Sequence, residues 1–177
     1  MNIVLTGFMG TGKSFVGKTL ARKLGWDFYD TDEMIEKDVG MSIADIFARK
    51  GEPHFRDLET KAIRLLAVLD KAVIACGGGA VLRRENMEEL KKKGVIVCLT
   101  ASPEKIYERT KTVRSRPLLD VSDPVAKIKE LLDFRKEYYN CCHLIVDTTD
   151  LTVAQITEKI LAFPSISEKI KHQGQGA

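Results

Sequence analysis

The sequence predicts an α/β fold in which helices cover both faces of a parallel sheet. Two observations indicate this fold. Short apolar runs typical of buried strands alternate with longer helical patterns along the chain. The first apolar run leads directly into a glycine-rich loop and then into a helical pattern, and such a unit forms an anion-binding site. We expect strands over residues 2–6, 27–30, 72–75, 95–99 and 144–146.

Each predicted helix has its own start or stop signal. The first is recognised by apolar residues at helical spacing. Residue types favoured at N-caps begin later helices at Ser42, Ser102, Asp123 and Thr152. Prolines suited to the first helical turn stand at Pro53, Pro103 and Pro124. Glycines end helical patterns at Gly40, Gly51 and Gly94. We therefore expect helices over residues 12–24, 31–39, 42–50, 53–69, 84–93, 102–111, 123–139 and 152–163.

Length and composition are those of one ordinary globular domain. The chain has 177 residues, of which 44% are hydrophobic and 30% charged, and its net charge is +3. We expect a single domain over residues 1–163, followed by a frayed, flexible tail over residues 164–177. The weak positive charge gives no support for nucleic-acid binding. No apolar run approaches the roughly 20 residues that a membrane helix needs.

Cysteine usage and the start of the chain predict where the protein works. None of the four cysteines forms a C-x-x-C pair with another. We expect reduced thiols in or near the core at Cys76, Cys98, Cys141 and Cys142. The sequence begins directly with a strand, which predicts that no signal peptide is present. We therefore expect a cytoplasmic, monomeric protein that binds neither nucleic acid nor membrane.

Residues 7–14 fit a phosphate-binding pattern. They read GFMGTGKS and match G-x-x-x-x-G-K-[ST] between a predicted strand and a predicted helix. Backbone N–H groups in such a loop and the positive end of the following helix attract an anion. We expect Lys13 to reach the β- and γ-phosphates of a nucleotide, and the Ser14 hydroxyl to hold Mg²⁺.

Two further segments follow predicted strands and should meet the loop at one edge of the sheet. Asp30 and Asp32 share a face of an extended chain, so one carboxylate can support Mg²⁺ through water while the other binds a substrate hydroxyl. An aspartate at this place can equally cap the next helix. A run of three glycines lets a substrate lie against bare backbone, although a flexible turn would use the same residues, Gly77, Gly78 and Gly79.

Arginines in two places offer positive charge to an anionic substrate. Arg56 and Glu59 are spaced i,i+3, which suits either a surface ion pair or a carboxylate clamp that Glu59 orients, and the spacing favours neither. A basic stretch without acidic residues contains Arg109, Lys111, Arg114 and Arg116. This stretch is either a solvated face or a loop that closes over a triphosphate.

Together these motifs resemble the shikimate kinase family of P-loop enzymes, over about residues 1–163. The resemblance rests, in order along the chain, on residues 7–14, 28–32, Ile35, Glu36, 42–47, Gly51, Glu52, Phe55, Arg56, Glu59, 77–79, 116–119, Arg135 and Tyr138. It implies a three-layer P-loop kinase sandwich with strand order 2-3-1-4-5. An acceptor-binding region over about residues 31–60 and a lid over about residues 112–123 are implied too. The implied reaction is ATP-dependent phosphorylation of the 3-hydroxyl of shikimate, giving shikimate 3-phosphate and ADP, in aromatic amino-acid biosynthesis.

The resemblance also implies a role for each site residue. ATP would contact Gly10, Thr11, Gly12, Lys13, Ser14, Phe15, Arg109 and Arg116. Mg²⁺, the implied cofactor, would be held by Ser14 and Asp30. Shikimate would contact Asp32, Phe47, Phe55, Arg56, Glu59, Gly77, Gly78, Gly79 and Arg135. Arg56 and Arg135 would clamp its carboxylate, and Arg109 would lie against the adenine. The implied catalytic group is Lys13, Asp32 and Arg116.

Three positions depart from the usual family pattern. Phe15 stands where threonine is common, Arg114 adds a second arginine beside Arg116, and residues 147–150 lack the arginine often seen in the adenine loop. Two alternatives stay open. One is a kinase of the same fold that acts on gluconate, a nucleotide or dephospho-coenzyme A. The other is a P-loop protein that binds nucleotide and a regulatory partner without turnover.

Overall fold

Strands and helices alternate along the chain as the sequence predicts. The structure, a computed structural model, describes residues 1–111, 119 and 121–174. The strands are β1 (Asn2–Thr6), β2 (Asp27–Asp30), β3 (Ala72–Ala75), β4 (Gly94–Thr100) and β5 (Leu144–Asp147). The helices are α1 (Lys13–Leu24), α2 (Thr31–Val39), α3 (Ile43–Ala67), α4 (Arg84–Lys93), α5 (Pro103–Thr110), α6 (Pro124–Tyr139), α7 (Val153–Leu161) and α8 (Pro164–Gly174). Among these described helices, none has the length and apolar character needed to cross a membrane.

The five strands form one parallel sheet in the order β2-β3-β1-β4-β5. This is the order that the family resemblance implies. Strand β1 lies at the centre, where Ile3 pairs with Val73 of β3 on one side and with Val95 of β4 on the other. Because all the strands run in the same direction, the loops that follow β1, β2 and β3 open at one edge of the sheet.

Alternate side chains of β1 pack on opposite faces of the sheet, and this produces three layers. Ile3 and Leu5 contact a core formed with α1, α7 and α8. Val4 contacts a second core formed with α3, α4 and α6. Each of these β1 side chains is fully buried, as expected for a parallel sheet with helices on both faces.

Helix α3 contains the break that the sequence predicts at Gly51. The backbone of Gly51 has φ 79° and ψ 166°, a conformation that favours glycine over residues with a Cβ. The helices predicted over residues 42–50 and 53–69 thus follow each other directly, with only this break between them. The break changes the direction of the chain between an arm over residues 43–50 and the longer second part of the helix.

The expected frayed tail is wrong for most of its length, because Pro164–Gly174 form α8. Ile166 is fully buried in the core with α1 and α7, and Ile170 packs against the same core. Two apolar residues four apart face the same side of a helix, and a proline suits its first turn. This spacing is the sequence signal that predicts α8.

The cysteines are free thiols, as expected, but they are not all near the core. Cys76 and Cys98 are buried, Cys142 is half-buried, and Cys141 is exposed. The expectation is therefore wrong for Cys141. It lies in the turn between α6 and β5, where two adjacent side chains point in different directions and only Cys142 packs against the core.

Candidate active site

The loop over residues 7–12 lies at the carboxyl end of β1 and leads into α1. Gly7 has φ 130°, and a Cβ there would come within 2.1 Å of the Leu99 carbonyl oxygen. Gly10 has φ 77°, and a Cβ there would come within 2.8 Å of Thr110. Both positions need glycine, for backbone conformation and for space. The result is a tight loop whose backbone lies against β4 and α5.

Lys13 begins α1 and lies over the loop. Its Nζ donates hydrogen bonds to the carbonyl oxygens of Gly7 and Phe8, each at 2.9 Å. Its side chain also lines a pocket of about 490 Å³ that the loop shares with Arg109. The apolar side of the pocket is formed by Phe15, Leu151, Val153 and Ile156. A pocket with a phosphate loop at one end and apolar side chains at the other suits a nucleotide.

Ser14 and Asp30 are in direct contact across the ends of two elements. The Ser14 hydroxyl donates a 2.6 Å hydrogen bond to Oδ2 of Asp30. The other oxygen of Asp30 accepts a 3.0 Å hydrogen bond from the Asp32 amide and so caps α2. Asp30 therefore both caps α2 and lies beside the phosphate loop.

The same two oxygen-bearing side chains fit a magnesium ion. Mg²⁺ is typically bound through one or two protein oxygens, waters and substrate phosphates rather than by a full protein cage. Ser14 and Asp30 supply oxygen ligands of this kind beside the phosphate loop. Among the described residues, no group of three or more His, Cys, Asp or Glu side chains could hold a metal ion.

A second pocket, of about 290 Å³, adjoins the first. Three residues line both pockets: Met9, Asp32 and Gly78. The remaining predicted acceptor residues line the second pocket: Phe47, Phe55, Arg56, Glu59, Gly77, Gly79 and Arg135. The structure therefore brings these residues together, and it places Asp32 where the two pockets meet.

Arg56 and Glu59 form an ion pair, but both residues are buried, so the prediction of a surface ion pair is wrong. Its Nη1 donates to Oε2 of Glu59 at 2.8 Å. Its Nε and Nη2 donate to one oxygen of Glu52, at 3.1 and 2.9 Å. The guanidinium lies against the backbone of Gly79, where a Cβ would come within 2.3 Å of Nη1. The ring of Phe55 is 5.1 Å from its Cζ, a cation–π distance.

Arg135 reaches the same pocket from α6 and is also buried. Its Nη1 donates to the Gly78 carbonyl oxygen at 3.2 Å, and its Cζ lies 5.4 Å from the ring centre of Phe8. The Tyr139 hydroxyl donates to the same Gly78 oxygen at 3.2 Å. Burial raises the pKa of Tyr139 to about 12, so the phenol stays neutral and can donate. Tyr139, one helical turn after Arg135, thus helps to fix the glycine run.

Glu59 is fully buried beneath the pocket. Its Oε2 accepts from Arg56, and its Oε1 has no hydrogen-bond partner among the described residues. A Cβ on Gly77 would come within 2.6 Å of Oε1. Burial raises the pKa of Glu59 to about 7; the Arg56 guanidinium opposes this shift and the Asp32 carboxylate adds to it. Glu59 therefore changes protonation near neutral pH.

Arg109 connects the phosphate loop with the loop after β5. Its guanidinium donates to the carbonyl oxygens of Gly10 at 3.3 Å and Thr148 at 2.8 Å. Thr148 is fully buried, and its hydroxyl lies 3.1 Å from the Thr11 carbonyl oxygen. Thr148 and Arg109 thus join the two loops.

Several contacts of the site escape sequence reasoning. The Thr31 hydroxyl accepts a 2.8 Å hydrogen bond from the Gly77 amide and joins the ends of β2 and β3. Glu52, Tyr139 and Thr148 also hold site residues in place. Only Glu52 has a local signal, its i,i+4 spacing to Arg56. The predicted lid residues Arg114 and Arg116 lie outside the described part of the chain.

Comparison with known families identifies this arrangement. The family description "Shikimate kinase" matches residues 9–164. This chain belongs to the shikimate kinase family. A shikimate kinase of Thermodesulfovibrio yellowstonii is 53% identical over 160 residues, which cover 90% of this chain and 92% of that one. One from Caldanaerobacter subterraneus is 46% identical, with 90% and 94% covered. The chain is accordingly a kinase of this family, and the expected family is confirmed.

Solved structures of the family have the same fold. A shikimate kinase from Acinetobacter baumannii in complex with shikimate has a TM-score of 0.87 and is 38% identical, with 90% of each chain covered. The enzyme from Aquifex aeolicus has a TM-score of 0.80 and is 36% identical, with 91% of this chain and 94% of that one covered. A gluconokinase from Sinorhizobium meliloti is only 18% identical with a TM-score of 0.58, and it shares the fold alone.

Gly79→Ala should disturb the buried arginine, because the new Cβ would occupy the place of its guanidinium. Forcing extra volume into a packed site typically costs about 1–3 kcal/mol of unfolding free energy. Gly78→Ala is the matched control, since its Cβ would meet no atom closer than 3.5 Å. Chemical denaturation of both variants measures the difference. Equal losses in the two variants would contradict the close packing of Arg56 on Gly79.

Glu59 should make stability depend on pH near neutrality. Its folded pKa of about 7 lies above that of an unfolded glutamate, so its contribution is present at low pH and is lost as pH rises through 7. The free energy of unfolding should therefore fall between about pH 4.5 and 7, by at most about 1.4 kcal/mol per pH unit for one proton, and change little above that range. Glu59→Gln should flatten this slope, whereas Glu88→Gln, at an exposed position, should keep it. The same slope in all three proteins would exclude a shifted Glu59.

Proposed function

We propose that this chain transfers the γ-phosphoryl group of ATP to the 3-hydroxyl of shikimate, giving shikimate 3-phosphate and ADP in aromatic amino-acid biosynthesis. One observation carries the proposal: a pocket on the phosphate loop and a pocket lined by two buried arginines meet at Asp32. The relative from Acinetobacter baumannii, 38% identical, is a complex with shikimate. Shikimate is a compact ring with one carboxylate and several hydroxyls, which suits arginines on one side and an aspartate on the other.

The nucleotide occupies the pocket on the loop. Backbone amides of Gly10, Thr11, Gly12 and Ser14 and the Lys13 ammonium bind its phosphates. The adenine lies against Arg109, which lines this pocket together with Phe15. Arg116 of the lid belongs to the same proposal but lies outside the described residues.

Ser14 and Asp30 would hold Mg²⁺, the cofactor that the family resemblance implies. Their 2.6 Å contact supports this role, because it places two oxygen ligands at the base of the loop. When bound, the ion neutralises charge on the phosphates during transfer. Asp30 also accepts a hydrogen bond from the Asp32 amide at the start of α2. The carboxylate that supports the metal therefore also positions Asp32.

The acceptor occupies the second pocket, with its carboxylate between Arg56 and Arg135. Both guanidinium groups are buried and line this pocket, so a carboxylate would meet them away from water, where charge-assisted hydrogen bonds are strong. Glu59 orients Arg56, and Phe47 and Phe55 form the apolar wall against the ring of the acceptor. The glycines 77–79 leave the backbone open to its hydroxyls.

Asp32 binds the acceptor hydroxyls and receives the proton as the new P–O bond forms. Its place between the two pockets supports this role. A loose transition state needs little early removal of the proton, so positioning of the hydroxyl is the larger contribution. Lys13 and Arg116 compensate negative charge on the transferred group. Lys13, Asp32 and Arg116 thus form the proposed catalytic group.

The organisation of the chain follows from the same proposal. We infer one domain that extends beyond the expected residue 163 to include α8, because Ile166 belongs to its core. The acceptor region spans about residues 31–60, which include Asp32, Arg56 and Glu59 on α2 and α3. The lid of the same proposal, about residues 112–123, lies mostly outside the described residues. A monomer suffices, because both pockets are lined by one chain. Free thiols suit the reducing cytoplasm, where we place the enzyme.

The proposed reaction is tested by ADP release from ATP and Mg²⁺ with shikimate as acceptor, run beside gluconate and nucleoside monophosphates. We expect release that depends on shikimate, and mass spectrometry should find a monophosphorylated product. Turnover with gluconate or a nucleotide but not with shikimate would overturn the acceptor. Binding of ATP without turnover on any acceptor would overturn the kinase reaction itself.

Lys13→Met should reduce kcat by about 10²-fold or more, because the ammonium would no longer compensate charge on the phosphates. The variant should still fold, with a loss of about 1–3 kcal/mol of unfolding free energy from the two hydrogen bonds that Lys13 makes to Gly7 and Phe8. Kinetics with shikimate and thermal unfolding measure the two effects. Unchanged kcat in the folded variant would contradict the role of Lys13.

Arg56→Lys should weaken acceptor binding, because lysine keeps a charge beside Glu59 but loses the planar fork that holds a carboxylate. Charge-assisted hydrogen bonds are typically worth about 1.5–3 kcal/mol, so KM for shikimate should rise by about 10- to 100-fold. KM for ATP should stay the same. Steady-state kinetics with each substrate varied separately measures both values. A change confined to ATP would contradict the placement of the carboxylate.

A further inference from the structure

Two carboxylates of the chain itself already bind the guanidinium of Arg56. Glu59 accepts from Nη1 at 2.8 Å, and one oxygen of Glu52 accepts from both Nε and Nη2. A guanidinium has five N–H groups, so at most two of them remain for any other partner. The Nε–Nη2 edge is one of the two that a carboxylate can grip with both oxygens, and Glu52 occupies it.

The two glutamates are held very differently. The side chain of Glu59 is 0% exposed and lies beneath Arg56 in the interior. The side chain of Glu52 is 55% exposed and reaches Arg56 from the solvent. Glu52 follows the break at Gly51 and stands at the start of the second part of α3. Glu59 is fixed by its surroundings, whereas Glu52 can turn into solvent without leaving a buried carboxylate unpaired.

We propose that Glu52 is an internal competitor for the acceptor's carboxylate: it occupies the Nε–Nη2 edge of Arg56 when the pocket is empty and is displaced when the acceptor binds. This inference rests on the proposed function, in which Arg56 binds the carboxylate of shikimate. In this proposal, Glu52 lowers the affinity of the pocket for the acceptor, and it lowers the affinity further for small anions that bind only through their charge.

The charges around Arg56 support displacement. The groups that face the pocket are Arg56, Arg135, Asp32, Glu36 and Glu59. With Glu52 in place, two carboxylates contact the single positive charge of Arg56. A third carboxylate bound at the same edge would meet repulsion from Glu52 as well as competition for its N–H groups. Removing Glu52 from contact relieves both effects at once.

The same arrangement explains why a competitor is useful. A buried guanidinium with unpaired N–H groups is costly, so Glu52 stabilises Arg56 in the empty pocket. A half-exposed ion pair is weak, so it yields to a ligand that brings a carboxylate together with hydroxyls for Asp32. A small anion without those hydroxyls gains less from the exchange and is held more weakly.

The test compares shikimate binding to the wild-type chain and to Glu52→Gln by isothermal calorimetry at low ionic strength. Glutamine keeps the size of the side chain and removes its charge. We expect the Kd for shikimate to fall by about two- to fivefold, the range set by a half-exposed ion pair. The methyl ester of shikimate carries no negative charge, so its Kd should not fall in the variant.

Glu88→Gln is the matched control. Glu88 accepts from Nε of Arg84 at 2.8 Å with the same spacing of four residues, and its side chain is 59% exposed. Its partner Arg84 does not line the acceptor pocket, whereas Arg56, the partner of Glu52, does. Substitution of Glu88 should leave the Kd for shikimate unchanged. Equal tightening in both variants would indicate a general effect of net charge and would overturn the proposal.

Glu52→Asp covers the case in which loss of charge at the start of a helix prevents folding. Aspartate keeps the charge but shortens the side chain, which lengthens its contact with Arg56, so shikimate should again bind more tightly. Weaker or unchanged binding in both Glu52 variants would show that Glu52 positions Arg56 or does nothing there, and would overturn the proposal.

Arg56→Lys separates this inference from the function on which it rests. If wild-type protein binds no shikimate, or if Arg56→Lys binds it as well as wild type, the proposed carboxylate clamp fails and the inference fails with it. If Arg56→Lys weakens binding and neither Glu52 variant strengthens it, the clamp stands and the competitor alone is refuted.

Discussion

The burial of β1 at the centre of the parallel sheet is the constraint on which the site depends. Its neighbours on both sides run in the same direction, so the loop after β1 emerges between the ends of β3 and β4. The loop fits there because Gly7 has no Cβ, since a Cβ at this position would collide with the Leu99 carbonyl oxygen. The Thr31 hydroxyl then binds the Gly77 amide, which ties the next two strand ends together. Phosphate loop, aspartates and glycine run thus meet as one rigid edge.

Buried charge is the second determinant of the site. Arg56 and Arg135 are both removed from water, and each is held by oxygens of the chain before any ligand arrives. Such preorganisation means that little has to be reordered when an anion binds. Its cost appears at Glu59, whose pKa rises to about 7 because its carboxylate is buried. The acceptor pocket therefore combines two buried guanidinium groups with the buried carboxylate of Glu59.

Local signals predicted much of this site, and contacts between distant residues account for what they missed. The sequence left open whether Asp30 or Asp32 caps a helix or faces the phosphate loop, and the fold shows that Asp30 caps α2 and also contacts Ser14 of that loop. Spacing could not decide whether Arg56 and Glu59 lie on the surface, because burial depends on what packs above them. Tyr139 and Thr148 reach partners 61 and 137 residues away, so no sequence window contains both members of either pair.

The sequence by itself determined the order of strands and helices, the phosphate loop, the break at Gly51 and the family, because each depends on residues close together in the chain. The family resemblance also supplied the strand order. Only the tertiary structure decided that Asp32 lies between two adjoining pockets, and that Tyr139 and Thr148 bind the backbone of the glycine run and of the phosphate loop. These features depend on which surfaces meet when the sheet and its helices come together. The physical reason is that hydrogen-bond geometry and steric limits act locally, whereas burial and charge compensation arise from elements far apart in the chain.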